Sequence, residues 1–280
     1  MNRGIWDELK AKFLKSGSPA MLYIGINVLI FLIASLLEVG FAISANRGWV
    51  ASQIQEYFAF PSTVSLLPLK FYTILTYQFF HDGIFHVLFN MLWLYWIGQI
   101  FLDFLKPRQF HFVFQGGVIL GALTFLLLFN IVPAFSAQQA TLIGSSAGVM
   151  AILVATATLV PDYSIRLLLI GDLKLKYLIL AYILLDIMGV AGTNAGGSIA
   201  HLGGALFGFM FVKLLQRGKD WSTIFKRKPK LKVVKSNAPR KAEPILNQQE
   251  IDAILDKISK SGYDQLTREE KETLFKASKN

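Results

Sequence analysis

The residues best equipped for chemistry in this 280-residue chain are a serine, two histidines and an asparagine, all set in apolar surroundings. Ser146 lies in the run Leu142-Ile143-Gly144-Ser145-Ser146-Ala147-Gly148-Val149-Met150, His86 and Asn90 lie four residues apart, and His201 opens His201-x-x-Gly204-x-x-x-Gly208. A serine hydroxyl becomes a nucleophile when a base takes its proton, and His201 is the base available. The oxyanion that forms on acyl attack needs donors, which Asn90, His86 and backbone N–H groups beside Ser146 can supply. The set therefore points to nucleophilic acyl transfer. Hydrocarbon offers neither water nor base, so polar groups at such depth must serve one another.

Other chemistries fall away on residue content. The chain has no cysteine, which removes disulfides, thiolate nucleophiles and thiolate-bound metals. No His-Glu-x-x-His occurs, and His81, five residues before His86, is expected to point away from the His86–Asn90 face, so no metal or other cofactor is expected. His111 lies beside a loop and reads as incidental. Asp186 is expected at the interface end of a short helix, leaving His201 without an acidic partner. Ser145, Trp93, Tyr95 and Trp96 read as packing and bilayer-anchoring residues. A soluble Gly-x-Ser-x-Gly elbow does not fit, because the flanks of Ser146 have the pattern of a membrane helix.

The elements that must carry these residues are apolar spans. With 54% hydrophobic residues and a mean hydropathy of +0.48, the chain reads as a multi-span membrane protein of the all-α class. Six segments are expected to cross: Met21 to Leu37, Ile84 to Leu102, Phe112 to Phe129, Leu142 to Val160, Tyr177 to Val190 and Ser198 to Leu215. The first four look long enough to span about 30 Å. The last two are weaker and carry Asp186, His201 and Lys213, so they should face protein or a water-filled cavity. Gly204 and Gly208 share the face of His201, and Gly144 and Gly148 flank Ser146 at a similar spacing, so the fourth and sixth helices are expected to touch.

Basic residues orient the spans. Arg3, Lys10, Lys12, Lys15, Lys106, Arg108, Arg166, Lys174, Lys176 and the basic residues from Lys213 onward fall on one side, and only Arg47 and Lys70 on the other. The positive-inside rule then places both termini in the cytoplasm. On this topology Ser146, His201, His86 and Asn90 share one depth near the outer face. The net charge of +10 is topological and implies no nucleic-acid partner. The first apolar run follows a mixed segment and no small-residue cleavage site follows it, so it reads as a retained span rather than a leader.

Four regions result: a cytosolic N-terminal segment, 1–19; a six-span membrane domain, 20–215; a basic linker, 216–245; and a cytosolic helical hairpin, 246–280. The linker residues could touch anionic lipid headgroups. In the hairpin, Asn247 to Glu250 and Thr267 to Glu270 read as capping sequences, and Ile251, Ile254, Leu255 and Ile258 form an apolar stripe for Leu274 and Phe275.

These residues together resemble the rhomboid family of intramembrane serine proteases. The resemblance rests on His81-x-x-x-x-His86-x-x-x-Asn90, Gly144-x-Ser146 and Ala200-His201-x-x-Gly204-x-x-x-Gly208, in that order, and covers roughly residues 20 to 215. It implies a six-helix bundle in a bacterial inner membrane, with Ser146 as nucleophile, His201 as base and His86 with Asn90 around the oxyanion. Its substrates would be transmembrane proteins cut in or near their spans. The chain departs from the family at Ala147, where glycine is usual, at Met150, where many members have a tyrosine stacked on the imidazole, and at Phe71-Tyr72-Thr73, where Trp-Arg is frequent. Those departures motivate the alternative of an inactive relative that binds transmembrane helices. A transporter using the polar residues as a path ranks last, since it does not explain the Ser, His and Asn arrangement.

Overall fold

Apolar runs punctuated by Pro and Gly set the helix ends, and a computed structural model describes residues 17–136, 138–167, 171–224 and 248–278. The helices of nine or more residues are α1 (Pro19–Ile43), α2 (Trp49–Tyr57), α3 (Ile84–Phe104), α4 (Pro107–Ile131), α5 (Ser146–Leu159), α6 (Leu175–Gly189), α7 (Ala195–Gln216), α8 (Gln248–Ser261) and α9 (Arg268–Ala277). Contacts divide the chain into two units, Met1–Lys226 and Arg227–Asn280. Most of the expected N-terminal segment, and of the linker beyond Ile224, lies outside the described residues.

Among the described residues four helices, α1, α3, α4 and α7, are long and apolar enough to cross a membrane. Pro19 and Pro107 occupy first-turn positions of α1 and α4, where the missing N–H costs nothing. Tyr23, Ile24 and Asn27 place one stripe of α1 against the bundle and leave Leu29, Leu32 and Leu36 exposed. Phe110, Val113, Phe114, Gly117, Val118, Gly121, Ala122 and Phe125 do the same for α4.

The fourth and sixth segments reverse the expected order of length. Instead of spanning Leu142 to Val160, α5 has 14 residues, roughly 21 Å at helical rise, whereas α7 has 22. The cause lies upstream of Ser146. Thr141 and Leu142 are extended and pair antiparallel with Pro61 and Phe60, and Gly144 takes φ 110°, a conformation that excludes helix. A second ladder, Ser164–Leu167 with Gly171–Lys174, joins α5 to α6. The described residues are thus mainly helical, with two short ladders that an all-α reading omits.

α5 is the centre of the bundle, and every residue from Ala147 to Ala157 is buried. Its contact with α7 is backbone to backbone: a β-carbon on Gly204 would collide with the Ala147 carbonyl, and one on Gly208 with that of Ala151. The glycines flanking Ser146 do other work than the expected seam. Gly148 faces Phe114 on α4, and Gly144 lies under the His86 ring.

In the second unit, Thr267 and Glu270 form a capping box at the start of α9. The Lys257 ammonium, hydrogen-bonded to Glu270 at 2.8 Å, holds that carboxyl below its usual range, helped by the Thr267 N–H. Ile254 and Leu266 are buried. The Asn247 cap lies outside the described residues.

Candidate active site

The stretch that carries Ser146 is tied down at three points before the helix begins. The Phe60–Pro61 ladder holds Thr141 and Leu142. Gly144 N–H donates to the Tyr77 carbonyl at 3.0 Å, and Tyr77 itself is buried and donates its hydroxyl to the Val118 carbonyl at 2.7 Å. Ser145, fully buried, meets His81 Nε2 through its hydroxyl at 3.3 Å. Ser145 is therefore a bonded anchor for the loop rather than a simple space-filler. Ser146 is the first residue of α5, so its hydroxyl sits at the positive end of the helix dipole.

Ser146, His201, His86 and Asn90 line one cavity of about 630 Å³. The N-terminal ends of α3, α5 and α7 all open onto it, through Asp82 and Phe85, Ser146, and Asn194 and Gly197 respectively. Three partial positive charges thus converge on one cavity, an arrangement suited to an oxyanion. Met150, Leu153, Phe89 and Trp93 supply an apolar wall.

Hydrogen bonding fixes the histidine tautomers. His86 Nδ1 accepts from the Asp82 N–H at 3.3 Å, which leaves Nε2 as a donor. Asn90 spends one amide hydrogen on the His86 carbonyl at 2.9 Å and keeps a second free to donate. His201 Nδ1 lies 2.8 Å from Asp186 Oδ1. A carboxylate accepts only, so Nδ1 carries the proton and Nε2 keeps its lone pair, the form a base requires. No hydrogen bond joins Ser146 to His201 among the described residues; in unliganded hydrolases this contact is often long.

Three expectations change here. Asp186 does not reach the interface: it is 6% exposed and pairs with His201, because α6 turns Leu175, Ile179 and Asp186 to one side, at i, i+4 and i+11, toward the bundle. His81 is not rotated away from His86, since it precedes the helix behind Gly83, and the two rings meet edge to face at 5.0 Å. Trp93 is a cavity residue, touching Tyr182 edge-on at 6.3 Å. Tyr182, four residues before Asp186, lies 6.4 Å from the His201 ring. Met150 lines the cavity where an aromatic stack on the base was missed, and α6 contributes the neighbours instead. In the loop that lacks Trp-Arg, Tyr72 donates its hydroxyl to the Tyr57 carbonyl at 2.8 Å and Lys70 pairs with Glu56 at 3.0 Å.

Asp186, for which a cavity-facing place was weighed and set aside, and Tyr182, which sequence reasoning did not consider, both lie beside His201. The available signal was an ionisable residue inside an apolar helix, which marks a functional position by default. Among the described residues no cluster of three His, Cys, Asp or Glu side chains is arranged to hold a metal.

Comparison with known proteins gives two family matches. Residues 68–218, more than half of the chain, match the Rhomboid domain, and residues 241–280 match a family of unknown function, DUF6576. The chain is also similar to the Presenilin-associated rhomboid-like protein A, mitochondrial, of Danio rerio, at 27% identity over 139 residues. That match covers 48% of this chain and only 35% of the relative's length.

Proposed function

The chain belongs to the rhomboid family, and from that premise we propose that it is an intramembrane serine endopeptidase acting on transmembrane proteins, with Ser146 as nucleophile and His201 as general base. The observation that carries the reading is the cavity that Ser146, His201, His86 and Asn90 share at the N-terminal ends of three helices. Ser146 Oγ attacks the scissile carbonyl as its proton moves to His201 Nε2. The oxyanion draws on His86 Nε2–H, the free Asn90 hydrogen and the backbone N–H groups opening α5. His201 then delivers the proton to the departing amide nitrogen, and water repeats the sequence on the acyl-enzyme.

Six crossings accompany this reading, with α5 and α6 added to the four long helices and both termini cytoplasmic by the positive-inside rule. The bacterial inner membrane is the proposed location and bilayer lipid the surrounding partner. The four regions, 1–19, 20–215, 216–245 and 246–280, are retained as the domain proposal. A substrate helix must unwind to expose a peptide bond, so small residues are expected at the cut.

The alternative of a catalytically inactive, helix-binding relative is motivated by Ala147 and Met150, where the chain departs from the family pattern. Cleavage of a reporter transmembrane substrate in proteoliposomes separates the two readings. The parent chain is expected to cut and Ser146→Ala to lose cleavage while staying folded; cutting by Ser146→Ala would refute the mechanism.

A further inference from the structure

We propose that Asp186 is a positioning residue for His201, so that the hydrolytic centre is a Ser146–His201–Asp186 line supplied by α5, α7 and α6 rather than a two-residue pair. The inference rests on the hydrolase reading above.

The contact has the geometry of an orienting bond. Asp186 Oδ1 stands 2.8 Å from His201 Nδ1, the nitrogen that does not face the serine in the proposed reaction. Holding a proton there sets the tautomer and stops the ring from turning about its side-chain bonds, so Nε2 faces the cavity with its lone pair. The carboxylate has no competing claim on it. Among the described residues no lysine or arginine pairs with Asp186, and its second oxygen, Oδ2, is buried without a hydrogen-bond partner.

A purely structural role explains this badly. Burying a carboxylate in an apolar helix is costly, and an apolar side chain of similar volume would pack there more favourably. Among the described residues the side chain's one hydrogen bond is to a histidine lining the cavity. Tyr182, on the same face of α6, has its ring 6.4 Å from that of His201, tilted by 59°. Thus α6 presents both a hydrogen bond and an aromatic neighbour to His201.

The proton count closes without any proton reaching Asp186. As the Oγ–C bond forms, the Ser146 proton passes to Nε2, and the imidazolium keeps its Nδ1–H directed at the carboxylate. As the C–N bond breaks, the Nε2 proton goes to the leaving nitrogen and His201 returns to neutrality. Asp186 stays ionised, and its charge stabilises the imidazolium that exists between the two steps.

The test measures kcat and KM for a reporter transmembrane substrate in proteoliposomes, using the full chain and its Asp186→Ala, Asp186→Asn and Asp186→Glu variants. Rates are normalised to sites titrated to completion with a fluorophosphonate, so that loss of folded protein does not count as loss of rate. The expected result is a fall in kcat of about 100-fold or more for Ala and Asn, with KM within about threefold and partial recovery in Glu. Asn is close in shape to Asp and decides the matter if the Ala variant does not fold. Parental kcat per titrated site in Asp186→Asn overturns the inference while leaving the hydrolase reading intact. Neither cleavage nor labelling in the parent chain overturns both.

Discussion

Every residue of α5 from Ala147 to Ala157 is buried, whereas α6, a helix of nearly equal length, buries only Leu175, Ile179 and Asp186. The first is locked by glycines that bring its backbone against α7. The second turns Leu180, Leu184, Leu185 and Met188 outward and has few places to grip. Ser146 therefore stands on a tightly packed scaffold, while Asp186 comes from a lightly seated helix. Rigid placement of one partner and adjustable placement of the other have different sensitivities to substitution.

Three substitutions probe that contrast in descending order. Gly204→Val drives a side chain into the Ala147 carbonyl, and because backbone has no rotamer to give way, a loss of about 3 kcal/mol or more is expected in detergent unfolding. A variant as stable as the parent would show that the α5–α7 seam is not what fixes Ser146. Tyr182→Ala removes edge contacts with Trp93 and a neighbour of His201; about 1 kcal/mol is expected, seen as faster amide hydrogen exchange confined to α6. Faster exchange in α5 as well would mean that the two helices move as one body. Leu184→Ala, on the exposed face of α6, should change stability by no more than about 0.5 kcal/mol. A larger effect would place a packing partner against that face.

How much of this was legible follows the range of the forces involved. Ser146, His86, Asn90 and His201 could be read as one site because residue type, order and helical spacing are local properties, and the cavity gathers all four. The glycine pair after His201 also showed in the spacing, since any close approach of helices needs small residues. Asp186 did not. Its partner depends on the rotation of α6 against α7, which no spacing within either helix encodes, and depth along the span suggested an interface instead. The shortened α5 was hidden for a similar reason: Leu142 and Thr141 are apolar enough for a helix, but they pair with Phe60 and Pro61, some eighty positions earlier. Gly144 was the local sign, a residue free to take φ 110° beside the serine. His81 misled because helical angles were applied to a residue that precedes the helix.

The central claim is that Ser146 is a nucleophile activated inside this cavity. Its most direct test is reaction of the full chain in membranes with a fluorophosphonate, followed by mass spectrometry of the modified peptide. The account predicts one adduct, on Ser146, absent from the His201→Ala and Ser146→Ala variants. No adduct on the parent chain, or an adduct on neighbouring Ser145, would contradict it.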